Sequence, residues 1–207
     1  MSKFLMINGS PNEHGCTFTA LNEVTQTLKK HEIDSEIVYL GKKAVQGCIA
    51  CMYCQTHGRC VFNDKVNELN ARLDEFDGLV VGSPVYYAGP SGQVCSFLDR
   101  FFFSHHAGFR NMLAASVVSC RRGGATAAFD RLNKYFTISN MIVAGSQYWN
   151  MVHGFTPDDV RKDIEGLQTM RTLGENLAWM LENIKAGERA GVKKPAYEPL
   201  VYTHFIN

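Results

Sequence analysis

Five short apolar runs recur through this chain, each too brief for a helix and each separated from the next by a longer amphipathic stretch. They are Phe4-Leu5-Met6-Ile7, Ile37-Val38-Tyr39-Leu40, Gly78-Leu79-Val80-Val81, Ala114 to Val118 and Met141 to Ala144. A run that is apolar at every position, without alternation, describes a strand buried on both faces. Between the runs, apolar residues return at helical spacing: Leu21, Val24 and Leu28; Val66, Leu69, Leu73 and Phe76; Val94, Phe97, Leu98 and Phe101; then a helical stretch from Thr126 to Tyr135. Strand and helix in regular alternation predict an α/β fold, a parallel sheet covered by helices on both sides.

The last helix carries the clearest local signals. Thr156 caps it, Pro157 suits its first turn, and Asp158 and Asp159 favour the positive end of its dipole. Val160, Ile164, Leu167, Leu173, Leu177, Met180 and Ile184 form its expected buried stripe, with Gly187 as the stop. From Ala186 to Asn207 the chain reads as an irregular arm with an aromatic end, placed to pack on a partner subunit. The expected organisation is a domain over 1–155 with a cysteine-rich insertion at 47–61, completed by a C-terminal helix and arm over 156–207.

Charge narrows the partners. A formal net charge of +1 and no basic run give nucleic acid nothing to bind. The longest apolar runs fall well short of the roughly 18 residues of a spanning helix, so no membrane contact is expected. The apolar run at the N-terminus is also too short for a secretion signal. Seven cysteines without such a signal point to a reducing, cytoplasmic setting, where clustered thiols serve metal or redox chemistry.

Four loop segments fall at the carboxyl ends of predicted strands, the edge where open α/β sheets bind ligands. After the first strand comes Gly9-Ser10-Pro11-Asn12-Glu13-His14-Gly15-Cys16-Thr17, opening into a helix. Its small and hydroxyl residues let backbone N–H groups and the Ser10 and Thr17 hydroxyls surround an anion. It has neither the Lys-Ser/Thr of a Walker A loop nor Gly-x-Gly-x-x-Gly. The third strand ends in Gly82-Ser83-Pro84-Val85-Tyr86-Tyr87-Ala88-Gly89-Pro90, suited to lie against a flat ring. The fourth ends in Ser119-Cys120-Arg121-Arg122-Gly123-Gly124, where glycines allow close approach and arginines hold negative charge. Gln147-Tyr148-Trp149-Asn150 follows the fifth and offers another aromatic surface. Cys95 reads as core, and His105, His106 and His153 read as surface or packing residues.

Four of the seven cysteines fall between positions 48 and 60, with the spacing C-x2-C-x2-C-x5-C: Cys48, Cys51, Cys54 and Cys60. Three thiolates on one short looping segment can face the corners of one iron–sulfur cube, the pattern of ferredoxins. Structural zinc also takes four cysteines, usually as two separated C-x2-C pairs, and free thiols or disulfides are the third reading.

Together, Ser10 to Thr17, the segment from Gly82-Ser83-Pro84-Val85-Tyr86 to Leu98-Asp99-Arg100, and Arg121-Arg122-Gly123-Gly124 resemble the flavodoxin-fold NAD(P)H-dependent FMN reductase superfamily. Within it the chain looks most like the iron–sulfur flavoproteins, over roughly residues 3 to 155. The resemblance implies a flavodoxin-like, five-stranded parallel sheet of order 2-1-3-4-5 and non-covalently bound FMN. It places Ser10, Asn12, Cys16 and Thr17 at the phosphate, and Pro84, Val85, Tyr86, Tyr87 and Arg121 to Gly124 around the isoalloxazine. Cys16 stands where relatives usually carry Asn or Ser. The resemblance also implies a [4Fe–4S] cluster on the four clustered cysteines and assembly as a homodimer or homotetramer. The expected function is an FMN-dependent oxidoreductase. It would use NAD(P)H to reduce a small acceptor: a quinone, a flavin, a nitro or azo compound, or a metal ion. Tyr87 and Trp149 would stack on that substrate. The competing reading is an electron-transfer protein taking single electrons from ferredoxin through the cluster to FMN.

Overall fold

The computed structural model describes residues 2–205, so Met1 and the last two residues of the C-terminal arm lie outside it. The first apolar run forms β1 (Lys3–Asn8), pairing in parallel with β2 (Asp34–Tyr39) on one side and β3 (Gly78–Tyr86) on the other. β3 pairs in parallel with β5 (Leu113–Cys120). Phe4, Leu5, Met6 and Ile7 have no solvent exposure, which is why this run could afford no polar alternation.

The sheet departs from the expected five strands in the order 2-1-3-4-5. Among the described residues it has seven strands, with the path β2-β1-β3-β5-β6. One addition is β4 (Gly89–Pro90), a two-residue strand folding back antiparallel on the end of β3. The other arises because the fifth position is split. The run Met141 to Ala144 yields only β6 (Ile142–Val143), beside the start of β5, and β7 (Met151–His153) pairs with the end of β5. Ile142 and Val143 are both more than a third exposed, so burial does not extend this edge strand further. Tyr148 and Trp149 therefore lie between the two half-strands and not after a finished fifth strand.

Helices cover both faces. On one, α1 (Cys16–Lys30) packs with α7 (Ile164–Arg189), joining Leu21, Val24 and Leu28 to Met170, Leu173 and Leu177 in one core. On the other, α3 (Lys65–Asn70), α4 (Gly92–Ser104) and α5 (Ala125–Ile138) bury Val66, Phe97, Phe101 and Leu132. Cys95, expected in the core, is half-buried at its margin.

The predicted single C-terminal helix is two. α6 (Pro157–Lys162) has the foreseen Thr156 capping box, but the chain leaves helical geometry at Asp163, with ψ of 79°. Asp163 accepts from Gly166 N and His153 N, at 2.9 and 2.6 Å, and so starts α7 afresh. The break turns Ile164 outward, 76% exposed, out of the predicted buried stripe. Gly187 does not stop α7, which runs on to Arg189 before the arm begins.

At the β2 edge, Glu36 accepts from Arg72 at 2.8 and 3.0 Å and from Lys3 at 2.7 Å. These partners, Arg72 first, hold its carboxyl at about 2, against an ordinary 4.5. A depressed folded pKa adds stability above the unfolded value, and that stability is lost as pH falls from about 4.5 towards 2. The group is partly solvated, so the expected contribution is about 1 kcal/mol. Urea unfolding should find Glu36→Gln about 1 kcal/mol less stable at pH 7 and equal to the parent near pH 2. A gap that persisted in acid would exclude this linkage.

Candidate functional site

The carboxyl ends of β1, β3 and β5 lie side by side, and their loops are tied together from below. Asn8 organises the first loop: its amide donates to Glu13 O and its Oδ1 accepts from Ser10 N. The Ser10 hydroxyl accepts from Asn12 N, and the Tyr39 hydroxyl donates to Pro11 O at 2.7 Å. Ser91, the N-cap of α4, donates to Gly9 O at 2.7 Å, while its own N–H bonds to Ser83 Oγ. Thr17, 1% exposed, shares a 2.8 Å hydrogen bond with Ser119 at the end of β5. Two close approaches require glycine here. A Cβ on Gly9 would sit 2.6 Å from Val94 Cβ, and one on Gly82 would sit 2.8 Å from Thr17 Cγ2.

The start of α1 is ready for an anion. Its N-cap, Gly15, supplies no side-chain hydrogen bond, and its first turn holds no acidic residue. The free N–H groups of the first turn and the positive end of the dipole are thus left uncontested. With Ser10 and Thr17 buried in the same loop, the donors present fit a phosphate monoester such as that of FMN. Cys16, at the head of the helix, has its thiol pushed up by burial.

The second loop is a two-residue hairpin. Tyr87 and Ala88 both hold left-handed backbone, φ 49° and 59°, between the paired residues Tyr86 and Gly89. Left-handed non-glycine residues are strained by roughly 1–2 kcal/mol each, and such strain collects at functional sites. Gly124, φ 89°, locks the third loop to this hairpin: a Cβ there would sit 2.7 Å from Ala88 Cα and 3.2 Å from Val85 Cγ1. Tyr86 is half-exposed and Tyr87 fully so, which removes them from any role in the core. Arg121, Arg122 and Gly123 are exposed beside them.

The four clustered cysteines are also gathered. Ala50, Met52 and Gly58, all left-handed, coil the segment around the short α2 (Tyr53–His57), so that Cys48, Cys51, Cys54 and Cys60 line one pocket with Ile49 and Phe103. Among the described residues, no three His, Cys, Asp or Glu side chains form a site for a single metal ion. The hollow the four thiols share has a volume of about 20 Å³, room for little more than one water. It is therefore the chemistry of the donor set, four thiolates on one segment, that matches a cube of irons, not the space between them as they stand. Burial pushes the Cys54 thiol up, and its neighbours Cys60, Cys48 and Cys51 push the same way when ionised, a repulsion that bound cations relieve.

Two residues that sequence reasoning did not assign hold this segment. Asn67 clamps Cys60 from α3, accepting from its N–H and donating to its carbonyl, both at 2.9 Å. Arg100, 1% exposed, donates to both Asp64 oxygens, to Gln46 O and to Cys60 Sγ at 3.3 Å. The Leu98-Asp99-Arg100 signature marked Arg100, though nothing in it told that the side chain turns inward.

An open parallel sheet, an uncapped anion loop at its switch point and a strained aromatic hairpin beside it define a flavodoxin-like protein. The chain belongs to the NADPH-dependent FMN reductase family, whose model matches residues 2–156. It is an FMN-dependent oxidoreductase. An iron–sulfur flavoprotein of Methanocaldococcus jannaschii is 33% identical over 192 residues, covering 88% of this chain and 99% of its own. One from Methanosarcina thermophila is 26% identical, covering 88% and 97%. Among solved structures, a flavodoxin, WrbA-like protein from Agrobacterium tumefaciens superposes with a TM-score of 0.62 at 16% identity, covering 88% of this chain and 99% of its own. Among the described residues, no helix is long and apolar enough to cross a membrane.

Proposed function

We propose that this chain holds FMN between its three edge loops and uses it, in the cytoplasm, to pass electrons from NAD(P)H to a small acceptor. FMN, when bound, would supply the means to take a hydride, a pair of electrons with one proton, and to release those electrons onward. The observation that carries the reading is the uncapped start of α1 set beside the Gly124-locked hairpin at one sheet edge. Ser10, Asn12, Cys16 and Thr17 hold the phosphate through the loop and helix N–H groups. Pro84 to Tyr87 and Arg121 to Gly124 frame the ring, with the arginines countering negative charge.

A second reading rests on the shared cysteine pocket. Cys48, Cys51, Cys54 and Cys60 would hold a [4Fe–4S] cluster, which supplies one-electron transfer and so suits a ferredoxin donor. The coil of left-handed residues presents the four thiols, and Arg100 and Asn67 fix Cys60. The exposed aromatic arm is proposed to serve assembly as a homodimer or homotetramer.

Anaerobic purification with an absorbance spectrum and iron and acid-labile sulfide analysis tests both readings. Flavin bands with rapid bleaching by NADPH and no iron support the first. About four irons and four sulfides per chain, lost in Cys54→Ser while FMN stays, support the second. Failure to take up FMN at micromolar concentration would sink both.

A further inference from the structure

One cleft on this face is built mostly from residues outside the flavin loops. Its volume is about 420 Å³, ample for a two-ring aromatic molecule, and it opens beside β7 between the starts of α5 and α7. No residue of the loop after β1 or of the Tyr87–Ala88 hairpin lines it, and it meets the proposed ring site only at Arg122 and Gly124.

Its walls state what it would take. Tyr148 and Trp149 stand side by side, ring centroids 4.9 Å apart, each about half exposed. Their planes are inclined at 60°, so a flat aromatic body can stack on one ring while its edge meets the other. Arg122 also lines the cleft, and among the described residues it has no ion-pair partner. A guanidinium free to make its fork of hydrogen bonds selects carboxylate-like anions. Arg122 belongs to the α5 side of the cleft, whereas Glu165 comes from the start of α7 and His153 from β7. The Glu165 carboxylate has no ion-pair partner among the described residues. It repels a second anion and accepts from a hydroxyl or amine. Asp163 already accepts from Gly166 N and His153 N and lies 3.8 Å from the His153 ring, so it adds charge beside Glu165.

We infer that this cleft is the binding site for the small co-substrate. That co-substrate is of one chemical class: a planar aromatic molecule with an anionic group towards Arg122 and a hydrogen-bond donor towards Glu165 and His153. The inference rests on the proposed FMN function, since the cleft borders the ring site through Arg122. It adds the Tyr148–Trp149 pair and the polar groups of its two sides to what the flavin loops supply.

The test is calorimetric titration of FMN-loaded protein with 6-hydroxy-2-naphthoate, a non-reducible probe carrying both groups at opposite ends. Binding at micromolar to sub-millimolar concentration is expected, with 2-naphthol and 2-naphthoate each weaker by about 10-fold. Trp149→Ala should weaken the parent probe at least about 10-fold without loss of FMN. In Arg122→Gln the preference for 6-hydroxy-2-naphthoate over 2-naphthol should vanish, and in Glu165→Gln its preference over 2-naphthoate should shrink. Equal affinities for all three probes, or unchanged affinity in Trp149→Ala, would overturn the inference. So would displacement of FMN by the probe, seen as rising flavin fluorescence: the cleft would then belong to the flavin and the proposed function would stand. Failure to load FMN, read from the absorbance before any probe is added, would remove both.

Discussion

Arg100→Met is expected to destabilise the protein by about 3 kcal/mol, a large loss for a replacement of similar length in a single domain. The side chain is 1% exposed and serves as a hub. Its guanidinium holds both oxygens of Asp64, the carbonyls of Gln46 and Phe62, and the Cys60 sulfur, and it lies 5.0 Å over the Phe62 ring. Burial by itself would favour a neutral guanidine, but the bonds to Asp64 and Cys60 outweigh it and the net shift is upward, so the group stays charged. Methionine fills the volume but takes the donor from Gln46 O and from Asp64 Oδ2, while Phe62 O and Asp64 Oδ1 keep Asn67 and Val66. The effect is held below the worst buried-pair cases because the Asp64 side chain is 39% exposed and can regain water. Urea unfolding measures the loss. Arg100→Met combined with Asp64→Asn should cost clearly less than the sum of the single changes. The same change should quicken alkylation of Cys60 in metal-free protein, because Arg100 holds the Cys60 sulfur and joins Gln46 to Asp64, leaving Asn67 as the remaining clamp on Cys60. A stability loss under 1 kcal/mol would show that α4 and the cysteine segment stand without the hub.

Much of this architecture was legible because burial on two faces writes itself into sequence. β1, β3 and β5 each appeared as an apolar run, and Leu21, Val24 and Leu28 or Val94, Phe97 and Phe101 kept helical period because each touches one core. The edge loops were legible as well, since small residues directly after a buried strand mean close backbone packing, and Gly9, Gly82 and Gly124 all prove to need their missing Cβ. The split of the last strand was not legible. The run Met141 to Ala144 holds only the two-residue β6, more than a third exposed, and β7 is three residues long, too short to stand out as a run although Met151 and Val152 are buried. The break at Asp163 was hidden for a related reason. Apolar residues on both sides keep a near-helical period across it, and the cap from Asp163 to Gly166 N is set by a bond from His153 N, ten residues upstream, which the local sequence does not show. The inward turn of Arg100 is a tertiary fact of the same kind: its partners at 46, 60, 62 and 64 lie far away in sequence.

Gly124→Val is expected to weaken FMN binding by at least about 100-fold while the sheet stays folded. Two effects act together at this position. Gly124 has φ of 89°, and valine is poorly suited to left-handed backbone because its branched Cβ crowds the adjoining peptide. If the backbone holds, the new Cβ lands 2.7 Å from Ala88 Cα, a backbone atom that no rotamer change can move aside. The Tyr87–Ala88 turn must then move away from the Arg121–Gly124 loop. That turn is already strained at two successive residues, so it is the part that yields. The strands beneath are held by their own ladder: Ser83 and Pro84 still pair with Val118 and Ser119, and the core on both faces lies below the displaced loops. Circular dichroism and the urea midpoint should therefore change modestly, whereas flavin fluorescence titration should show the loss. Gly92→Ala provides the control, since nothing lies within 4 Å of a Cβ there and its φ is not left-handed. If Gly124→Val bound FMN as the parent does, the contact between hairpin and loop would be packing alone, and the ring site would have to be sought at the Tyr148–Trp149 cleft.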